Sequence, residues 1–234
     1  GSLSEQISQE ISIGFDANGL TVGTYLANIQ ISSNDPDSPT KIIPVTLEVI
    51  NHLFVDLKVY LEGPFSGSAM NTELTDIPLS QPYNQAPWNY SGSETVVAIP
   101  GDVVDWVLIE YRDATDAVSA TSATTLSRQA AFLKNNGSVV DLDGVSLLAF
   151  NYSIIHELYT VVWHRNHLGI LSASSLSEVG GIYNYDFTNG EEKVFGMATG
   201  HKEISTGIWG MISGDGNADG DINPDDISII WAID

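Results

Sequence analysis

Leu53-Phe54-Val55-Asp56-Leu57-Lys58-Val59-Tyr60-Leu61 places Leu53, Val55, Leu57, Val59 and Leu61 at every second position, with Asp56, Lys58 and Glu62 on the other side. Successive strand residues point to opposite faces, so this alternation predicts a β-strand with one buried face. Outward from it, strands are predicted at 95–99, 105–112, 128–133, 138–141, 147–153, 158–164, 182–187 and 194–197. Asn136-Gly137 and Asn189-Gly190 fall between apolar runs, where hairpin turns belong. Towards the N-terminus, 11–15, 24–32 and 41–50 also read as strands, the last two joined by Ser33-Asn34-Asp35-Pro36-Asp37-Ser38-Pro39. Many short strands with almost no helical periodicity predict an all-β chain built on an antiparallel β-sandwich. One segment breaks the rhythm, Gly63 to Ser93, rich in Pro, Ser, Asn and aromatic residues. A loop that long in a compact domain is often functional.

The 234 residues carry 8 Lys and Arg against 30 Asp and Glu, a formal charge of −22. That balance argues against nucleic acid or an anionic membrane as partner, because both require clustered cations. At 43% hydrophobic residues, with five Trp and nine Tyr, the chain has ample core material and is no disordered acidic tail. With no cysteine, disulfides, thiolate metal sites and thiol catalysis are excluded. No stretch approaches the roughly 18 apolar residues of a membrane span, so no membrane insertion is expected. Gly1-Ser2 reads as a cloning remnant, and the expectation is a piece of a larger protein.

Gly23-Thr24-Tyr25, Ile29 to Pro39 and Ile43-Pro44-Val45-Thr46-Leu47 together resemble the end of bacterial immunoglobulin-like repeats from large extracellular proteins. The resemblance implies that residues 1–51 are a partial repeat whose first strands lie upstream. Its open apolar face would then pack on another domain or pair with another chain. Leu61-Glu62-Gly63-Pro64, Pro78 to Tyr83, Asp105 to Glu110 and Trp163 to Gly169 resemble a module of secreted bacterial proteins placed ahead of dockerin-like tails. Residues 52–212 are accordingly expected to form the β-sandwich module.

The strongest local motif is Asp215-Gly216-Asn217-Ala218-Asp219-Gly220-Asp221-Ile222-Asn223-Pro224-Asp225-Asp226. It fits the twelve-residue calcium loop, with oxygen-bearing side chains at positions one, three and five, the turn glycine at six and an acid at twelve. Calcium wants six or more hard oxygens. Asp215, Asn217 and Asp219 offer side chains, Asp221 its backbone carbonyl, Asn223 a direct or water-mediated oxygen, and Asp226 the closing carboxylate. Asp at the last position, Asn at the third and a short helix expected over 225–233 resemble one dockerin repeat, so 213–234 is taken as a single loop and helix. The resemblance implies calcium as the cofactor and a secreted or cell-surface setting.

Two further groups invite chemistry. His164 and His167, in Val161 to Gly169, are three apart on a predicted strand and point to opposite faces unless the chain turns between them. They therefore read as polar anchors at a strand-to-loop corner, with Arg165 paired to a carboxylate, ahead of a metal hydrolase site. Tyr83, Trp88 and Tyr90 in the long loop either stack on sugar rings or fold back over the sheet. No Gly-x-Ser-x-Gly elbow or Gly-rich phosphate loop occurs. The expected function is thus a non-catalytic structural or adhesive module, partnered by other domains of its parent chain and by a polysaccharide or a protein that docks on the tail. A carbohydrate-binding module using residues 63–93 is the alternative, and a His-dependent metal hydrolase ranks behind it.

Overall fold

The computed structural model describes residues 10–49, 52–74 and 76–226, and the chain divides into two units, 1–51 and 52–234. Among the described residues all regular structure is β-strand apart from short helical turns, and no helix is long and apolar enough to cross a membrane. The expected helix over 225–233 lies mostly outside the described residues, of which Pro224 to Asp226 are helical.

In the first unit β1 (Gly23–Ser32) and β2 (Thr40–Val49) form an antiparallel hairpin in unbroken register from Gly23 opposite Val49 to Ser32 opposite Thr40. The turn is set by Asp35, whose Oδ1 accepts from the backbone N–H groups of Asp37 and Ser38, while Ser33 N donates to Pro39 O at 2.9 Å. Tyr25, Ala27 and Ile29 share one face with their partners Leu47, Val45 and Ile43. No described residue of this unit is buried, and a lone two-stranded hairpin is marginal in water. Residues 11–15, expected as a strand, have no ladder partner among the described residues.

The second unit contains β3 (Leu53–Lys58), β4 (Val103–Ala114), β5 (Thr125–Lys134), β6 (Ser138–Val140), β7 (Leu148–Phe150), β8 (Glu157–His164), β9 (His167–Leu171), β10 (Ser177–Val179) and β11 (Ile182–Asp186). They form one nine-stranded sheet in the order β10-β11-β3-β6-β5-β4-β8-β9, with β7 also paired to β3. Asn136-Gly137 turns β5 into β6 as expected, bringing Leu133 opposite Val139. The purely antiparallel expectation is corrected where β11 runs parallel to β3, Tyr183 opposite Val55 and Tyr185 opposite Leu57, because it arrives by a long excursion and not by a hairpin, and again at the parallel bridge between Leu61 and Met211. A separate pair, β12 (His201–Ser205) and β13 (Ile208–Met211), docks on the chain after β3, where Met211 N donates to Tyr60 O and Glu62 N to Met211 O.

Two other expected strands are absent. Within 95–99 only Thr95 bridges, to Ser80, because the segment belongs to the covering loop. Within 194–197 only Val194 bridges, to Ser172, and Asn189-Gly190 leads into a helical turn at Glu191–Lys193 instead of a hairpin.

β4 is buried on both faces, which explains its nearly continuous apolar run. Val107, Ile109 and Tyr111 join Val55, Leu57, Val59, Ala131 and Leu133 in the main core. Strands far apart in the sheet order feed that one cluster, so the sheet curls around it. On the opposite face Trp106, Leu108, Ala130 and Phe132 pack with Tyr83 in a second core. The long segment between β3 and β4 roofs this face, and its Ile77, Trp88, Tyr90, Val96 and Ile99 pack onto it.

Candidate functional site

The loop from Asp215 to Asp226 is organised by its own side-chain oxygens. Asp215 Oδ1 accepts from Asp219 N at 3.1 Å and its Oδ2 from Gly220 N at 3.2 Å. Asn217 Oδ1 also accepts from Asp219 N, Asp219 Oδ1 from Asp221 N, and Asn223 Oδ1 from Asp225 N. Asp226 reaches back over the loop, its Oδ1 accepting from Gly216 N at 2.9 Å and Asn217 N, its Oδ2 from Asn223 N at 2.7 Å. Gly220, at the sixth position, has φ of +90°, a conformation that a side chain would strain.

Asp215 and Asp226, first and last in the loop, are both buried. Burial raises the Asp215 carboxyl above the ordinary carboxylate range, and the neighbouring charges of Asp226 and Asp219 add to the rise. Backbone N–H groups hold Asp226 below that range. The donor set is therefore hard oxygen with a desolvated carboxylate at its first position, the chemistry that a divalent cation takes. Among the described residues, however, no three His, Asp or Glu side chains converge closely enough to hold a metal as they stand. Asp219 accounts for part of this, since its Oδ2 accepts from the Asn217 side-chain amide at 2.8 Å.

The base of this loop rests on the histidine turn. Gly214 N donates to Asn166 O at 3.0 Å, Leu168 N donates to Ile212 O, and Ser213 donates through both N and Oγ to Glu62 Oε2. Residues 164 and 167, taken above as pointing apart, are opposed across the hairpin of β8 and β9, whose connection is only Arg165-Asn166. The turn that the sequence left open is present, and it brings the two rings into contact.

Four groups then form a buried chain. Asp105 Oδ2 lies 3.2 Å from His164 Nε2, His164 Nδ1 lies 2.8 Å from His167 Nδ1, and His167 Nε2 lies 2.9 Å from Glu62 O. Both ends of the chain are acceptors, so its three links need three ring protons, one more than two neutral imidazoles hold. Burial, and after it the charge of His164, push His167 down to about 3. Burial alone would raise Asp105, but the hydrogen bond and charge of His164, together with Arg165, hold it below its ordinary value. Arg165 grips the same carboxylate with Nε and Nη2, the latter at 2.9 Å. A cavity of about 390 Å³ adjoins the pair, yet all four ring nitrogens are engaged within the protein.

The aromatic loop residues fall in different surroundings. Tyr83 is fully buried, donates its hydroxyl to Trp106 O at 2.8 Å and meets Trp88 edge-on, so its ring has no face for a sugar. This corrects its place among the candidate binding residues: the roof needs a large anchor over Trp106. Trp88 and Tyr90 are half-buried, Tyr90 bonding to Glu94 and lying 5.7 Å from the Arg128 guanidinium. Sequence reasoning passed over Asp105, Glu110 and Arg128, all absorbed into apolar strand runs.

No family model, curated protein or solved structure matches the chain.

Proposed function

We propose that this chain is a non-catalytic structural or adhesive part of a secreted or cell-surface bacterial protein, stabilised at its C-terminal loop by calcium. The observation that carries the reading is the loop frame in which Asp215 and Asp226, first and last of the twelve, are buried and turn their carboxylates inward onto the loop amides. Asp215, Asn217, Asp219, the Asp221 carbonyl, Asn223 and Asp226 would hold the ion, with side-chain movement at Asp219. Calcium supplies the hard positive charge that this oxygen set lacks. The Gly214 hydrogen bond then ties the ordered loop to the β8 and β9 turn, and those of Ser213 tie it to Glu62.

In this reading the curled sheet is the sandwich module, residues 1–51 are the end of an immunoglobulin-like repeat, and 213–234 is dockerin-like. The saturated histidine pair supports a structural role for that corner over metal-assisted hydrolysis. Partners are the neighbouring domains of the parent chain and a protein that docks on the tail. Calorimetric titration with calcium tests it: one site with a dissociation constant of about 10⁻⁴ M or tighter is expected. No heat at millimolar calcium overturns it.

A further inference from the structure

Along β4, Trp106, Leu108, Glu110 and Arg112 share one face, and cross-strand register adds Arg128 and Ala130 from β5 and Trp163 from β8. The roofing segment covers the Trp106 end of this face. Past Pro87 and Trp88 the face opens as a groove of about 600 Å³, within the range of small-molecule sites. Glu110, Arg112 and Arg128 lie on its sheet side, and Trp88, Trp163 and Phe195 supply aromatic rings. Gly169 makes room for one of them, since a Cβ there would lie 2.4 Å from the Trp163 ring.

Glu110 is 6% exposed, and all of its bonds within the protein fall on one oxygen. Oε1 accepts from Arg112 Nε at 2.7 Å, from Arg112 Nη2 and from Thr125 Oγ1 at 2.9 Å. Oε2 has no partner among the described residues. Oε2 is thus left free on the groove lining, where a donor from a ligand can reach it. Arg128 spends Nη1 on Trp88 O at 2.7 Å and has further N–H groups to give.

The charge pattern selects the ligand. Glu110 and Arg112 cancel, which leaves no paired cations for an anion, and the chain at −22 repels one. A cationic ligand would meet Arg128. Groups that both donate to a carboxylate and accept from a guanidinium are hydroxyls, and three aromatic rings ask for an apolar ring face beside them. We infer that this groove binds a neutral oligosaccharide, stacked on the aromatic rings and anchored by hydroxyls on Glu110 Oε2 and Arg128. The site takes Trp88 from the 63–93 loop but not the buried Tyr83, and uses no calcium ligand, so it stands or falls apart from the calcium reading.

The test is titration of the whole chain with cello-, xylo-, manno-, laminari- and chito-oligosaccharides, followed by calorimetry and tryptophan emission. Ala218 reaches the groove, so calcium is kept present. At least one neutral sugar should bind with a change in emission. Glu110→Gln should weaken it about tenfold or more, the effect of losing a hydrogen bond to a charged group. Phe195→Ala, at a residue 44% exposed, should weaken it without lowering the melting temperature, which keeps the test valid if Glu110→Gln folds poorly. No binding at millimolar sugar, binding that Phe195→Ala leaves unchanged, preference for an oligogalacturonate, or binding of a proline-rich peptide in place of every sugar would overturn the inference.

Discussion

The Nδ1 atoms of His164 and His167 lie 2.8 Å apart, held together by a turn of two residues and clamped between the Asp105 carboxylate and the Glu62 carbonyl. The pair also sits under Gly214, so the acidic loop and the sheet meet at this corner.

Acid should loosen the corner. His167 is held down to about 3 from an ordinary 6.5, chiefly by burial. A neutral folded His contributes stability that is complete above the unfolded value and is lost as pH falls towards the folded one. Stability should therefore decline between pH 6.5 and pH 3, by on the order of a few kcal/mol from this residue. Urea melts across that window check it, and a His167→Asn variant should show a shallower decline.

Asp105→Asn removes the carboxylate that His164 and Arg165 both hold and leaves the Arg165 guanidinium without its counter-charge. Breaking a buried pair on one side costs about 3–5 kcal/mol. The variant should melt well below the parent in thermal denaturation. An unchanged melting temperature would mean that the ion pair contributes nothing to stability.

Tyr83→Ala should destabilise by about 3–5 kcal/mol as an emptied core site, and Tyr83→Phe by about 1 kcal/mol for the lost bond to Trp106 O. Chemical denaturation separates the two. A Tyr83→Ala variant as stable as the parent would remove the tyrosine from the core.

Asp215→Asn relieves repulsion with Asp226 and Asp219, so in EDTA it should melt close to the parent. Calcium at a hundredfold excess over its dissociation constant should add about 2.7 kcal/mol to the parent and little to the variant. Scanning calorimetry with and without calcium reads both. An equal gain in the two would place the ion elsewhere.

The all-β class was legible because period two is a local signal: the alternation through Leu53 to Leu61 and the Asn136-Gly137 turn needed no tertiary information. β10 was missed because its three residues, Ser177–Val179, are all exposed and show no buried face. The predicted strand at 95–99 failed because β-branched residues suit a half-buried loop as well as a ladder, and Val97 ends up wholly exposed. In the candidate loop the spacing of oxygens could be read directly, whereas the histidine contact depended on a turn that Arg165-Asn166 does not advertise. Glu110 stayed hidden because a carboxylate inside an apolar strand has no signature until its neighbours across the sheet are known.

The parallel pairing of β3 with β11 bears on how the chain is made. β3 leads its unit off the ribosome, yet its partners Val139 and Tyr185 emerge far later. Until they do, Val55 and Leu57 have no sheet to join, and the strand presents open edges. Pairings so distant in the chain close slowly. Completion of this sheet is therefore late, and a translation product truncated before Ile182 would be left with one edge of β3 free to capture a neighbouring chain.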